Sequence, residues 1–384
     1  MKKIIHLLCH TLDNDTTLDY HIKGNWSARQ ARNILSYSNK YQCEVWYAVR
    51  NLKKNVTFKD GDITYRLFQA QTVNPLLESF YSVVNCPSLF AALALENPKT
   101  TAIHFQGERG SLLHKVLSEF PAYKVTIQYH GYGQPWWLNW AERLLITPIE
   151  KRHFPHVYHF FVHIKQRIHY LTEVLKIDTS KISFQNNGID FDRFKPLDKK
   201  SCRRKLNLAE RTFIILYVGA MVKTKGVDKI IKAYKILKKK HDNVYLLFVG
   251  ATKTDPLYYQ AKKTADQVIE LTDNKNLPLF YNAADVYVFF GNRKTIDYAG
   301  VGTAPTEAMA CNLNVISTNL IHLPDEIVLR AGFVPKDFDD FVSKIDFLYQ
   351  HPKFKFTPRN IVEKYTSYEY TTRRIIEIYD RLFS

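Results

Sequence analysis

The chain has 384 residues, 46% of them hydrophobic, which is enough for two domains that each bury a core. No apolar run approaches the roughly 20 residues needed to cross a bilayer, and that argues against a membrane-spanning helix. The formal charge of +17 favours acidic partners such as nucleotide phosphates or anionic lipid head groups; with no zinc-finger spacing, RNA-binding signature or long basic tail, nucleic acid is not expected.

The basic start MKKIIHLLCH is too short and polar for a signal peptide and reads as a first strand, Lys3 to Cys9. After a polar loop, Gly24-Asn25-Trp26-Ser27 leads into a helix through Ala31, Ile34 and Leu35, with Ser27 as its expected N-cap. Strands follow at Cys43–Val49 and Ile63–Phe68, then a mostly helical stretch from Pro75 to Leu95, broken near Pro87. A strand at Thr101–Phe105, a helix from Ser111 to Phe120 and a strand at Lys124–Tyr129 complete the pattern. Strands alternating with helices predict parallel βαβ units in a doubly wound α/β sheet. Ligands on such sheets gather at the carboxyl ends of the strands. His130, next to Gly131, stands at such an end, either facing a crevice or merely capping a loop.

Pro135 to Trp140 is the most aromatic patch, and the helix after it carries Arg143, Lys151 and Arg152. Its tryptophans fit burial, a sugar-stacking platform or an interfacial membrane surface. Further strands are expected at Val157–Val162 and Lys181–Phe184, and the polar stretch after the Asn186–Asp190 turn marks a domain boundary near residue 190. Five scattered cysteines without metal-like spacing read as reduced thiols of a cytoplasmic protein. The rich Lys, Asn and Ile content, together with the aromatics, is equally what biased codon usage produces.

The second half repeats the alternation: strands at Phe213–Val218, Val244–Val249, Gln267–Leu271, Asp285–Phe290 and Asn314–Thr318, with helices opening at Gly226 and Leu277. Lys225 sits just before a helix start, where a phosphate would find a movable positive charge. Between the last two strands, Gly300 and Gly302 make a tight loop, and Thr303, Ala304 and Pro305 begin a helix carrying Glu307. Glycine-rich strand-to-helix loops point backbone N–H groups at an anion, and a carboxylate there suits a ribose diol. The same pattern also serves as a plain tight turn into a core helix.

Four segments, NNGIDFDRFKP (186–196), ILYVGAMVKTKGVDKIIKAYKILKKKHDNVYLLFVG (215–250), FYNAADVYVFF (280–290) and GTAPTEAMACNLNVISTNL (302–320), resemble the retaining glycosyltransferases of the GT-B fold, specifically glycosyltransferase family 4. The first half matches in its rhythm, its Gly24 loop and its His130-Gly131 pair. The resemblance implies two Rossmann-like domains facing across a cleft, at 1–190 and 191–365, with a terminal helix at 366–384 packing back on the first. It implies retaining transfer of a sugar from a nucleotide-sugar donor, UDP- or GDP-linked, to a glycan, lipid-linked or other hydroxyl acceptor. No cofactor or metal is implied, because Lys225, loop amides and a helix dipole take up the leaving diphosphate's charge. Glu307 takes the ribose-binding place and His130 the place beside the donor sugar. Gly24 matches the loop that closes over the phosphates, and Gly219, Gly300, Gly302, Thr303 and Ala304 frame the donor.

Two positions depart from that pattern. The carboxylate preceding Glu307 in the family motif falls on Ala299, and the phosphate-binding arginine falls on Ala220. Asp297 is the expected substitute for the first, and Lys223, Arg293 or Lys294 for the second. The alternatives are an impaired scaffold subunit or a GT-B epimerase; the extra acid and base carboxylates of the latter are not found. The charge, with the Trp136-Trp137 patch, makes a peripheral place on the inner face of the cell membrane the expected location.

Overall fold

A computed structural model describes the chain except for residues 16–17, 74–80, 131–141, 164, 186–187, 271–275, 292–302, 319 and 321–322. It divides into two units, Met1–Asn186 with Thr371–Ser384, and Asn187–Tyr370. The expected boundaries stood at 190/191 and 365/366.

The first unit contains β1 (Lys2–Leu8), β2 (Leu12–Asp13), β3 (Tyr41–Arg50), β4 (Val56–Asp60), β5 (Ile63–Gln69), β6 (Gln71–Thr72) and β7 (Val84–Asn85). It continues with β8 (Thr101–Gln106), β9 (Lys124–Tyr129), β10 (His159–Val162) and β11 (Ile182–Phe184). The main sheet runs β11-β10-β9-β8-β1-β3-β5-β4, with β2 beside β3. Its pairings are parallel except β4 on β5. Helices cover both faces, so alternate side chains of one strand enter different cores. Ile5 and Leu7 pack with Leu89, Leu113 and Phe154. Ile4 packs with Ala28, Ile34, Ala102 and Phe161 on the other face. The terminal helix Tyr368–Phe383 adds Ile375, Ile378, Tyr379 and Leu382 to that second core. Their i, i+3, i+4, i+7 spacing makes a single apolar stripe, each side chain contributing about 1.5–3 kcal/mol by burial.

Three local expectations are corrected. Residues 84–85 of the stretch expected to be helical form a strand paired with β6, and a helix follows at Pro87–Ala94, where Pro87 suits the first turn; residues 75–80 of that stretch lie outside the described residues. The helix Trp26–Tyr37 is capped by Asn25, whose side chain accepts from the Ser27 amide at 3.1 Å, while Ser27 itself is buried. Gly24, placed in an open loop by the sequence reading, closes a short helix, Leu18–Gly24. The β4–β5 hairpin was not foreseen, although Asp60-Gly61-Asp62 carries its turn signal and Gly61 adopts φ 58°.

The second unit holds β12 (Phe213–Val218), β13 (Val244–Ala251), β14 (Gln267–Glu270), β15 (Val286–Phe289) and β16 (Asn314–Ser317). They are parallel throughout and ordered β14-β13-β12-β15-β16. Strand order reverses between β12 and β15, so the loops leaving those two strands diverge and open a crevice at their carboxyl ends.

Candidate functional site

At that switch point β12 is followed by Gly219, with φ 139°, a conformation that side chains resist. A Cβ there would lie 3.3 Å from the Tyr217 hydroxyl, a tight contact, and 3.8 Å from Lys225 Nζ, so the lysine's end lies beside this bare backbone. The loop that follows is pinned from two sides. Tyr217 OH donates to the Ala220 carbonyl at 2.9 Å. Asp255 accepts from the amides of Met221 at 2.8 Å and Thr252 at 2.9 Å, and from Thr252 Oγ1 at 2.9 Å. A single 3-10 turn, Lys223–Lys225, leads into Gly226, whose φ is 78°. A Cβ on Gly226 would meet the Phe290 carbonyl at 1.8 Å, so only glycine lets the chain pass the end of β15 here and start the helix Val227–Lys238.

Lys225 ends up half-buried and, among the described residues, without an ion pair or side-chain hydrogen bond. Burial lowers its pKa from the ordinary lysine value, and the Asp255 charge only partly opposes this. Asp255 loses some of its ionisation to burial, yet the two amides, Thr252 and Lys225 together hold its carboxyl below the usual range. A cation short of a partner beside exposed loop backbone is poised for an anion.

The helix Ala304–Ala310 presents Glu307 in its first turn. Both carboxylate oxygens already have donors: Thr303 Oγ1 reaches Oε1 at 2.6 Å and Tyr281 OH reaches Oε2 at 2.8 Å. Tyr281 is fully buried, and burial first, then the Glu307 charge, pushes its pKa well above the usual tyrosine value. It therefore stays protonated and donates. These two donors fix the carboxylate in orientation. A cavity of ≈ 360 Å³ opens nearby in the same unit, lined by Lys223, Lys229 and Lys336 with Gly226, Gly291 and Thr318.

In the first unit His130 follows β9 directly. Its amide donates to Glu108 Oε2 at 3.1 Å, and its Nε2 lies 3.4 Å from Gln106 Oε1. Its ring stands edge-on to His163 at 4.9 Å. Burial lowers its pKa against the opposing charge of Glu108, so the ring is held neutral.

The second unit thus joins Gly219, Ala220 and Lys225 on one loop, and Thr303, Ala304 and Glu307 on the next; Gly24 and His130 belong to the first unit. Asp297, Arg293, Lys294, Ala299, Gly300, Gly302 and the Trp136-Trp137 patch lie outside the described residues. The sequence reading missed Tyr281, Asp255, Glu108 and Gln106. Tyr281 stood in the segment FYNAADVYVFF, but no spacing rule paired it with Glu307. Asp255 and Glu108 carried only the weak signal of an acid shortly after a strand.

Residues 198–366 match the family model for glycosyl transferases group 1. The capsular polysaccharide biosynthesis glycosyltransferase CapM of Staphylococcus aureus is 32% identical over 196 residues, 45% of this chain and 49% of that protein. The chain spans about half the length of the curated relatives it matches. In fold it is similar to a sucrose-phosphate synthase from Thermosynechococcus elongatus, with TM-score 0.70 and 18% identity over 100% of this chain and 99% of that one. It is also similar to Anabaena HepE solved in complex with UDP, with TM-score 0.65 and 14% identity over 99% of this chain and 100% of that one. By fold along its length the chain is a GT-B protein, and residues 198–366 within its second unit match the glycosyl transferases of group 1 in sequence.

Proposed function

We propose that the protein is a configuration-retaining, metal-independent glycosyltransferase that takes a UDP- or GDP-linked sugar in its second unit. The observation that carries this reading is Lys225: a half-buried ammonium with no ion-pair partner among the described residues, beside Gly219 at the switch point. A diphosphate leaving group gains negative charge as the bond to the sugar breaks. A cation held there in a partly dry site favours that charge without a metal ion. Glu307, oriented by Tyr281 and Thr303, receives the ribose diol. The UDP held by HepE supports the class of donor.

His130 and Asp297 complete the proposed catalytic set on the family resemblance: His130 takes the place the resemblance gives to the donor-sugar histidine, and Asp297 stands in for the carboxylate absent at Ala299. Lys223 or Arg293 replaces the cation absent at Ala220. The acceptor in this reading is a hydroxyl of a glycan or a lipid-linked sugar, in keeping with the capsular polysaccharide role in CapM's name. Attachment to the anionic inner face of the membrane belongs to the same proposal and is supported by the charge of +17; no described helix is long and apolar enough to cross it.

The deciding experiment is a thermal-shift panel of UDP-, GDP-, ADP- and dTDP-sugars followed by donor turnover with glycan and lipid-linked acceptors. A ligand bound only by the native state raises Tm. Stabilisation by one nucleotide class with turnover supports the reading. Stabilisation with no turnover on any acceptor assigns the scaffold role that Ala220 and Ala299 would explain, and turnover of donor without acceptor assigns an epimerase or hydrolase.

A further inference from the structure

The edge of the first unit's sheet opposite to His130 carries a second cavity. Because β9, β10 and β11 are parallel, their starts at Lys124, His159 and Ile182 share one edge. His130, one residue beyond β9, lies at the other, about 20 Å away at the ordinary rise per strand residue. At the starting edge the structure opens into a cavity of ≈ 550 Å³. Lys124, Lys181 and Arg381 line it with His156 and His159, and neither aspartate nor glutamate does.

The three cations are held in place by backbone carbonyls. Lys124 Nζ donates to the Leu382 carbonyl and lies 5.7 Å from the centre of the Tyr158 ring. Lys181 Nζ donates to the carbonyls of Pro155 at 2.8 Å and Val157 at 3.2 Å. Arg381 Nε donates to the Glu377 carbonyl at 3.4 Å. Among the described residues none of the three forms an ion pair. Backbone carbonyls satisfy some of the N–H donors without removing charge, and the acid within electrostatic reach of Lys181, Asp178, does not line the cavity. His159 reports the resulting field: burial foremost, then Arg381 and Arg374, push its pKa down to about 4, and the neutral ring pairs with Ser183 Oγ at 2.9 Å.

A basic protein shows solvated lysines over much of its surface, usually interspersed with acids. Here the cations converge on a concave space and each donates to a backbone carbonyl. The volume falls within the range of about 300–1,000 Å³ that small-molecule sites occupy, more than a lone ion needs. We propose that this cavity is a binding site for a phosphate-bearing ligand, a phosphomonoester or diphosphate group, separate from the donor site. Lys124, Lys181 and Arg381 supply the charge, while neutral His159 and Ser180 supply uncharged polar contacts for the rest of the ligand. The phosphate arrives either on a soluble molecule or on a lipid head group, since both offer the same chemistry. Arg381 and Ile378 bring the terminal helix into the site, so its occupant also bears on that helix.

The test titrates the full chain with inorganic pyrophosphate at low salt and follows the ring NMR signals of His156 and His159. These report this cavity and not the Lys225 loop, so failure here and failure of the donor assignment are distinguishable. Saturable shifts with Kd of about 100 µM or tighter are expected, weakened about tenfold or more by Arg381→Glu. Arg381 is exposed, so this substitution should leave the melting curve near wild type; Lys181→Gln provides a second variant if it does not. Phosphatidic acid vesicles displacing the pyrophosphate, where phosphatidylcholine vesicles do not, identify a head group as the source; no displacement identifies a soluble phosphoester. Shifts that stay linear to about 10 mM, or equal affinity in wild type and both variants, overturn the proposal.

Discussion

The hydroxyl of Tyr281 donates to Oε2 of Glu307 at 2.8 Å, joining residues 26 apart in the chain. Tyr281 comes from the helix Leu277–Ala283, before β15, and Glu307 from the helix Ala304–Ala310, after it. Their contact fixes a carboxylate that the sequence alone leaves free to rotate.

Glu307→Ala should cost about 2–4 kcal/mol in kcat/KM for the donor, since a charge-assisted pair of hydrogen bonds is lost. Tyr281→Phe removes one orienting donor and should cost about 1–2 kcal/mol, chiefly as a raised donor KM. Steady-state kinetics on both variants check this. Values of kcat/KM within about threefold of wild type for Glu307→Ala would remove it from the donor site.

Lys225→Ala should lower kcat by about 100-fold and weaken nucleoside diphosphate binding, with nucleoside binding unchanged. The charged form is the binding form. Because burial holds the lysine's pKa below 10.5, diphosphate affinity in the free protein should begin to fall at a lower pH than a solvated lysine would dictate. Calorimetric titrations of diphosphate across the alkaline range read both effects, and an unaltered diphosphate affinity in the variant sinks the assignment.

Arg359 seats the Glu307 helix. Its guanidinium donates to the carbonyls of Phe194 at 2.6 Å, Ala310 at 2.7 Å and Phe191 at 3.0 Å, and it stacks over the Phe191 ring. Arg359→Ala leaves three carbonyls without this donor and should destabilise the protein by about 2–4 kcal/mol. Denaturant melts give the value, and a midpoint unchanged from wild type contradicts the clamp.

His114 lies buried with its ring parallel to Phe154 at 6.0 Å and to Tyr81 at 5.8 Å. Burial, then the neighbouring His153, pushes its pKa down to about 4. The folded state keeps the ring neutral while the unfolded chain takes a proton near pH 6.5. Stability from this group is therefore complete above about pH 6.5 and lost as pH falls toward 4, up to about 2 kcal/mol by pH 5. His6, pushed down to about 3 by burial, acts in the same direction. Tm should drop between pH 7 and 5, and His114→Phe should flatten that drop; an identical slope in the variant would refute the contribution.

The sequence by itself determined the alternation of strands and helices and the parallel α/β class that follows from it. Buried parallel strands need continuous apolar runs such as FIILYV in β12, and the glycines at 219 and 226 announce backbone that other residues cannot adopt. Such signals are local, so they survive without knowledge of neighbours. Helix caps and the β4–β5 hairpin were also local, but several residues there compete for the same role, as Asn25 and Ser27 do. Only the tertiary structure decided which side chains meet. Asp255 reaches the Met221 amide because β13 lies next to β12, and Tyr281 reaches Glu307 because their helices flank one strand. The burial that lowers the Lys225 pKa has the same origin. Sheet order is a global choice, set by which strands share a core, and β12 lies between β13 and β15 although β14 intervenes in the chain.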